Sequence, residues 1–130
     1  MPHAVRTGAV IFAKDVAQVA TFYRELLSMV ATDTEPGLVV LESAEAQLVI
    51  HGLPKHIADG FEIAVPPEAR EDSSIKLFFP VPSLAASRIA ALALGGRLGP
   101  PSKEWEARGF RAVDGVDPEG NVVQFRTRVP

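Results

Sequence analysis

The stretch DGVDPEGNVVQFR, residues 114–126, decides how this sequence is interpreted. Its DPEG segment is rich in turn-forming residues, and the alternating pattern that follows predicts a last strand. In that strand Val123 and Phe125 share one face, whereas Gln124 and Arg126 lie on the other. A carboxamide in the middle of a closing strand raises the question of what this second face meets.

The composition is that of a soluble globular protein. The chain has 130 residues, of which 47% are hydrophobic and 22% are charged. The sequence has no apolar run of about 18 residues, so we expect no membrane span. The first ten residues do not resemble a signal peptide, and cysteine is absent, which favours a cytoplasmic location. The net charge is -3 with scattered basic residues, so we expect no nucleic-acid partner.

The first half of the chain is predicted to hold a strand, a helix and a hairpin. TGAVIFA (7–13) is rich in β-branched and aromatic residues, which indicates a strand. Asp15 suits a helix N-cap, and apolar residues recur at helical spacing over about 16–28. LVVLE (38–42) and AQLVIHG (46–52) then predict the two strands of a hairpin.

The same order is predicted again in the second half. SIKLFF (74–79) indicates a strand, and Ser83 opens a helix that LGG (94–96) ends. FRAVDG (110–115) and NVVQFRTRV (121–129) indicate the closing strands. The apolar face predicted for this second helix comprises Ala85, Ile89, Leu92 and Ala93.

Two further segments are predicted to be mostly connections. Residues 53–73 carry proline, glycine and many charges, with one short strand expected around Phe61–Val65. Residues 96–109 form a long link that holds one short strand. We therefore expect a single domain spanning 1–130, with module one at about 5–52, a connector at about 53–73 and module two at about 74–130.

The alternation of side chains along the strands predicts a small-molecule cavity. The uniformly apolar strand faces are expected to pack against the helices, since each half-sheet needs one face covered. The mixed faces would then converge elsewhere, as is typical of a small-molecule site. The alternative is that each polar residue on them simply faces water. The residues of the mixed faces are Val10, Phe12, Val49, His51, Lys76, Phe78, Gln124 and Arg126.

Two motifs give the chain a resemblance to a known superfamily. KDVAQVATFYRELL (14–27) is similar to a D-x-x-x-x-x-x-F-Y-x-x-x-L helix, and VDPEGNVVQF (116–125) is similar to a DPDGN-x-x-E ending. On these residues, and on the repeated strand–helix–strands order, the chain resembles the vicinal oxygen chelate superfamily. That superfamily includes glyoxalase I, bleomycin resistance proteins and extradiol dioxygenases.

The resemblance implies a fold and an assembly. The fold is of the α+β class, with two βαβββ modules that form an open, incomplete β-barrel around a cavity, the glyoxalase/bleomycin resistance fold. Many relatives are dimers, so we expect a homodimer. The modules could close within one chain or be exchanged between two chains.

The resemblance also implies positions for metal ligands. Metal enzymes of the superfamily place His, Glu or occasionally Gln on the first and last long strands of each module. The matching positions here are Gly8, His51, Lys76 and Gln124, so Gln124 stands where a metal enzyme usually has Glu. Glycine offers no ligand, a lysine ammonium repels cations, and a divalent metal usually needs at least three protein ligands. His51 and Gln124 therefore remain only weak metal candidates, and no cofactor is expected. The other two histidines, His3 and His56, are expected at the surface.

The expected ligand is a small organic molecule. Lys76 and Arg126 would suit its anionic or strongly accepting end. The aromatic residues Phe12, Phe78, Trp105 and Phe110 would suit a flat or apolar body. Trp105 would either anchor its polar loop to the sheet or act as a lid at the cavity mouth.

The activity stays open at this stage. An incomplete metal site favours the binding branch of the superfamily, like the bleomycin resistance proteins. The alternatives are a lyase or dioxygenase that uses a divalent metal ion in an irregular site, and a metal-free enzyme with His51 as base and Lys76 as electrostatic stabiliser. A degenerate module with a structural or regulatory role is the third hypothesis.

Overall fold

The computed structural model describes residues 5–130, which build two sheets, three α-helices and a short 3-10 helix at Pro101–Lys103. The first sheet contains β1 (Thr7–Ala13), β2 (Val30–Glu35), β3 (Leu38–Glu42) and β4 (Ala46–Gly52) in the order β1-β4-β3-β2. The second contains β5 (Leu77–Pro80), β6 (Arg97–Leu98), β7 (Trp105–Ala107), β8 (Phe110–Val116) and β9 (Val122–Arg128) in the order β5-β9-β8-β6, with β7 also paired to β8. The helices are α1 (Val16–Leu27), α2 (Lys55–Ala58) and α3 (Leu84–Ala93).

The α+β class and the repeated order of elements agree with the sequence prediction. Each half begins with a strand that leads into a long helix, and this strand pairs in parallel with the last strand of its own half. Within residues 5–130, no helix has the length and hydropathy needed to cross a membrane.

Helix α1 forms as its sequence predicts. The Asp15 side chain caps it by accepting a hydrogen bond of 3.0 Å from the backbone N–H of Gln18. Ser28 ends it in the left-handed conformation, at φ 52°. Its buried face includes Phe22 and Tyr23, which meet the inner faces of both sheets in one core. The Tyr23 and Phe79 rings, 5.8 Å apart, join the two halves there.

The buried face of α3 differs from the predicted one. Ser83 caps this helix, since its Oγ accepts from the N–H of Ala86 at 3.1 Å. Ile89 and Leu92 are 75% and 72% exposed, whereas the buried residues are Leu84, Ser87 and Ala91. The prediction of a core face formed by Ala85, Ile89, Leu92 and Ala93 is therefore wrong. Alanine occupies positions all round this helix, so its apolar pattern fits more than one face and tertiary packing selects between them.

The connecting segments also differ from their predictions. No strand forms around Phe61–Val65, and the connector instead holds the short helix α2. The strand predicted at 74–79 begins only at Leu77, which leaves Ile75 72% exposed. The link at 96–109 holds two short strands, β6 and β7, rather than one. β2 was not predicted, because its sequence VATDTE is largely polar and every residue in it is exposed.

The two family-like motifs meet in the folded chain. Asp117 is fully buried in the turn before β9, and its Oδ2 accepts a hydrogen bond of 2.7 Å from the Tyr23 hydroxyl. Glu119, 3% exposed, accepts from the backbone N–H groups of Lys14 at 2.9 Å and Asp15 at 2.7 Å. The turn of the second half thus closes the N-terminus of α1 in the first half, where a carboxylate is favoured.

The Tyr23 phenol is held in its neutral form. Burial, followed by the negative charge and the hydrogen bond of Asp117, raises the pKa of the Tyr23 hydroxyl well above its ordinary value of 10.0. Asp117 also accepts from the backbone and the side chain of Asn121. The motif residues therefore hold the two halves together and are not directed at a ligand.

Candidate functional site

Each sheet has one face that the helices do not cover, which we call its open face. On β8 and β9 the buried core residues include Val113 and Phe125, which belong to the helix-covered face. Since opposite residues of an antiparallel pair lie on the same side, the pairs of Asp114 with Gln124 and of Ala112 with Arg126 belong to the open face. Phe78 joins them as the parallel partner of Gln124.

Arg126 is the centre of an aromatic and polar group on the second open face. Its guanidinium carbon lies 3.6 Å from the ring centroid of Phe78 and 4.2 Å from that of Phe110. The Arg126 Nε donates a hydrogen bond of 2.6 Å to Gln124 Oε1. None of the described residues accepts a hydrogen bond from its two terminal nitrogens. The guanidinium is therefore oriented by protein contacts while most of its donors stay available.

Gln124 meets a chain of polar side chains, which answers the question that the last strand raised. It is 7% exposed, and its Nε2 donates to Asp114 Oδ1 at 3.2 Å. The other oxygen of Asp114 accepts from Lys76 Nζ at 2.7 Å in a partly exposed ion pair. The order of contacts is thus Lys76, Asp114, Gln124 and Arg126.

Asp114 is a site residue that the sequence analysis did not select. The signal was nonetheless present, because the alternation along FRAVDG places residues 110, 112 and 114 on one face. Assigning it to the site required the register of the β8–β9 hairpin, which puts Asp114 directly opposite Gln124.

Trp105 lies over the edge of the same open face. Its ring stands 5.6 Å from the Phe110 ring, edge to face, and the residue is 41% exposed. The preceding residue, Glu104, accepts hydrogen bonds from Arg111 Nε at 2.6 Å and Arg88 Nη2 at 2.5 Å. These bonds, that of Arg111 first, lower the pKa of the Glu104 carboxyl. Trp105 begins the strand β7 rather than lying in a loop, and the residue before it ties this strand to both α3 and β8.

The remaining predicted site residues lie on the open face of the first sheet. Phe12 and His51 are paired across β1 and β4, with ring centroids 5.6 Å apart. Phe12 is 55% exposed, and His51 is exposed with its Nδ1 2.7 Å from the carbonyl oxygen of Gly52. Across residues 5–130, no hydrogen bond, ion pair or ring contact joins this pair to Arg126 and its neighbours. The predicted set is therefore divided between two sheets in the single chain.

A cavity of about 460 Å³ lies at the opposite end of the second open face from Trp105. The connector, β6 and the β8–β9 hairpin enclose it. Among the described residues, Lys76 is the one predicted site residue that lines this cavity, and its ion-pair partner Asp114 lines it as well. The Lys76–Asp114 ion pair therefore stands between this cavity and the Arg126 group.

The positions that the resemblance implies for a metal do not fit one. A Cβ added at Gly8 would lie 2.3 Å from the carbonyl oxygen of Gln47, so the backbone leaves no room for a ligating side chain there. The Lys76 ammonium is paired with Asp114, and the Gln124 amide is held by Asp114 and Arg126. In the part of the chain that the structure describes, no group of three or more His, Asp or Glu residues is placed to hold a metal ion. His56 is exposed, and His3 lies outside the described residues.

The strand register also changes which positions correspond in the two halves. When the N-caps Asp15 and Ser83 are matched, Val10 corresponds to Phe78. The parallel pairing partners of these two residues are Val49 and Gln124. The counterpart of Gln124 in the first half is therefore Val49, whereas His51 is the counterpart of Arg126. This correspondence removes His51 from the position that the resemblance assigned to it.

Comparisons with known proteins agree with this architecture. The model of a family described as the glyoxalase-like domain matches residues 8–125. A glyoxalase/bleomycin resistance protein/dioxygenase family enzyme from Burkholderia phytofirmans has a similar structure, with a TM-score of 0.69 and 17% identity over 95% of this chain and 98% of that one. A glyoxalase/bleomycin resistance protein from Albidiferax ferrireducens gives 0.67 and 17%, with the same coverage.

A fosfomycin resistance protein also occurs among the structural neighbours. The fosfomycin resistance protein FosX from Mesorhizobium loti superposes with a TM-score of 0.64 at 11% identity, over 99% of this chain and 95% of that one. At such identities the likeness shows the fold alone, and it confirms the predicted glyoxalase/bleomycin resistance fold. No curated protein sequence matches the chain significantly.

Proposed function

Because the chain belongs to the glyoxalase-like domain family, we propose that it binds a small organic molecule with an anionic group on the second open face, without a metal ion. The observation that carries this proposal is Arg126. Its guanidinium is stacked against Phe78 and Phe110, and its terminal nitrogens have no acceptor among the described residues.

The chemistry of this face favours an aromatic or otherwise flat anion. A guanidinium held between two rings presents parallel N–H groups that match a carboxylate or a phosphate-like group. Phe78, 56% exposed, and Trp105, 41% exposed, leave aromatic surface free for an apolar body. Gln124 and Asp114 contribute by fixing the orientation of Arg126 through Gln124 Oε1.

Isothermal titration with naphthalene-2-carboxylate tests the binding site. Arg126→Gln should weaken binding about tenfold or more, since a charge-assisted hydrogen bond contributes roughly 1.5–3 kcal/mol. The matched control is Arg128→Gln, because Arg128 lies on the same strand but is exposed, and among the described residues its guanidinium stacks on neither ring, although it pairs with Phe110 across the strands. Equal binding to the Arg126 variant and the native protein would remove this site from consideration.

The metal-free part of the proposal has its own test. Elemental analysis of the purified native protein should find divalent metal far below one ion per chain. Added nickel, zinc, iron or manganese should leave the melting temperature unchanged, because a ligand that binds the native state raises it. Stoichiometric metal that is lost in His51→Ala would instead support the metal-dependent lyase or dioxygenase.

We also propose that the protein forms a homodimer in the cytoplasm. Three large apolar side chains on the open faces, Val10, Phe12 and Phe78, are 54%, 55% and 56% exposed. A second copy is the partner that these faces fit, because the apolar side chains of Val10 and Phe12 can lie over the aromatic Arg126 face of a two-fold related chain. A chain without cysteine needs no oxidising compartment, which agrees with the cytoplasmic location.

A further inference from the structure

We propose that the cavity enclosed by the connector, β6 and the β8–β9 hairpin is a second binding site, which takes a small organic anion through Arg70 and Arg97. This site goes beyond the ligand proposed for Arg126. It uses different cations, and Arg126 does not line it.

The size and the floor of the cavity suit a small molecule. Its volume of about 460 Å³ lies within the roughly 300–1,000 Å³ typical of small-molecule sites. The buried Val116 and the half-buried Val122 give it an apolar wall. The apolar or aromatic part of a compact ligand would therefore be buried from water against this wall, which favours binding.

The two arginines that line the cavity are oriented by backbone carbonyls. Arg70 Nε donates to the carbonyl oxygen of Glu119 at 3.0 Å, and Arg97 Nη1 donates to that of Pro67 at 2.6 Å. Neither guanidinium forms an ion pair with any carboxylate of the described residues. Each keeps further N–H donors without a protein acceptor in that part of the chain. They are thus positioned cations whose charge is not neutralised, as an anion site requires.

The other charged groups of the cavity leave a positive balance. Lys76 and Asp114 neutralise one another at 2.7 Å, so they contribute an ion pair rather than a free charge. Within residues 5–130, the other charged residues of the lining are one carboxylate, Glu71, and two cations, Arg70 and Arg97. Two cations against one carboxylate favour a ligand with a single anionic group, of the carboxylate or phosphonate type, attached to an apolar body.

The site can be tested by amide chemical-shift mapping on the full chain with three probes of similar shape. These are benzoate, phenylphosphonate and the neutral benzamide. The two anions should shift the amides of Glu71, Gly99 and Gly115, which belong to the cavity, and benzamide should not. The stronger of the two anions identifies the acidic group that the site prefers. Shifts confined to Phe78, Phe110 and Arg126, or equal binding of benzamide, would overturn the proposal.

Two variants separate the role of the charge from a structural role. Arg97→Gln should weaken the binding of the preferred anion about tenfold or more. Arg97→Lys keeps the positive charge and should retain most of the affinity. Arg128→Gln, at an exposed residue that does not line the cavity, should leave this site unchanged. Because the variants of Arg97 and Arg126 are measured separately, failure here and failure of the Arg126 site are distinguishable. Unaltered affinity in Arg97→Gln, with a native-like spectrum, would refute the site.

Discussion

At the scale of single residues, the side chain at position 124 shows how context sets chemistry. Gln124 stands at a position where the resemblance predicts a metal-binding carboxylate, but its amide bridges Asp114 and Arg126. A carboxamide can accept from the arginine and donate to the aspartate at the same time, which a carboxylate cannot do. The side chain at this position therefore orients the Arg126 guanidinium instead of binding a metal ion.

Gly8 provides a residue-scale prediction. Gly8→Ala should lower the free energy of unfolding by about 1–3 kcal/mol, because the added Cβ would lie 2.3 Å from the Gln47 carbonyl oxygen and force the strands apart. Urea denaturation measures the change. Thr7→Ala, at the exposed neighbouring residue, is the control and should change it by less than about 0.5 kcal/mol. A neutral Gly8→Ala would show that β1 can move away from β4 at little cost.

Tyr23 provides a prediction for pH. Its pKa in the folded protein lies above that of the unfolded chain, near 10.0, because burial and Asp117 disfavour the phenolate. The neutral hydroxyl therefore contributes its full stability below about pH 10, and this contribution is lost as the pH rises through the folded pKa. Because Tyr23 is the only tyrosine, phenolate absorbance on alkaline titration should appear only together with unfolding, as followed by circular dichroism.

The Tyr23 prediction has a clear control. Tyr23→Phe should lower stability at neutral pH by about 1–3 kcal/mol, since it removes a buried hydrogen bond to a carboxylate. The variant should also show no phenolate signal at any pH. Phenolate that forms at pH 10 while the protein is still folded would contradict the buried contact with Asp117.

At the scale of elements, the N-terminus of α1 depends on a turn that lies more than 100 residues further along the chain. Asp15 caps the helix from its own side, and Glu119 accepts from the N–H groups of Lys14 and Asp15. Both contacts place negative charge where the helix dipole favours it. This element is thus completed only when the second half has folded against the first.

Glu119→Gln tests that dependence. The amide can accept only one of the two backbone hydrogen bonds and brings an N–H toward the other donor, so stability should fall by about 1–3 kcal/mol. Thermal and urea unfolding measure the loss. Glu62→Gln is the matched control, since Glu62 is exposed and its removal should cost less than about 0.5 kcal/mol. Equal stability of the two variants would show that Asp15 alone suffices to start α1.

At the scale of the whole molecule, the two open faces carry the apolar exposure that a partner chain would cover. Sedimentation analysis should find the native protein as a dimer, and Phe12→Asp should shift it to monomer, because a charge buried in an apolar interface is costly. Ala44→Asp, at an exposed hairpin residue, should leave the dimer intact. A native monomer, or a dimer that tolerates Phe12→Asp, would exclude this arrangement.

The sequence by itself determined the repeated order of strands and helices, both helix caps and the β3–β4 hairpin. Each of these depends on local periodicity or on a capping side chain, which neighbouring residues specify. It did not determine the buried face of the alanine-rich α3, the largely polar β2 or the start of β5, where local patterns fit more than one outcome.

Only the tertiary structure decided which side chains meet. The pairing of β8 with β9 brought Asp114 to Gln124, and the packing of the connector placed Arg70 and Arg97 around one cavity. It also separated Phe12 and His51 from the other predicted site residues by putting them on another sheet. Alternation along a strand fixes the face of a side chain, but strand register and sheet partners, which depend on residues distant in sequence, fix its neighbours.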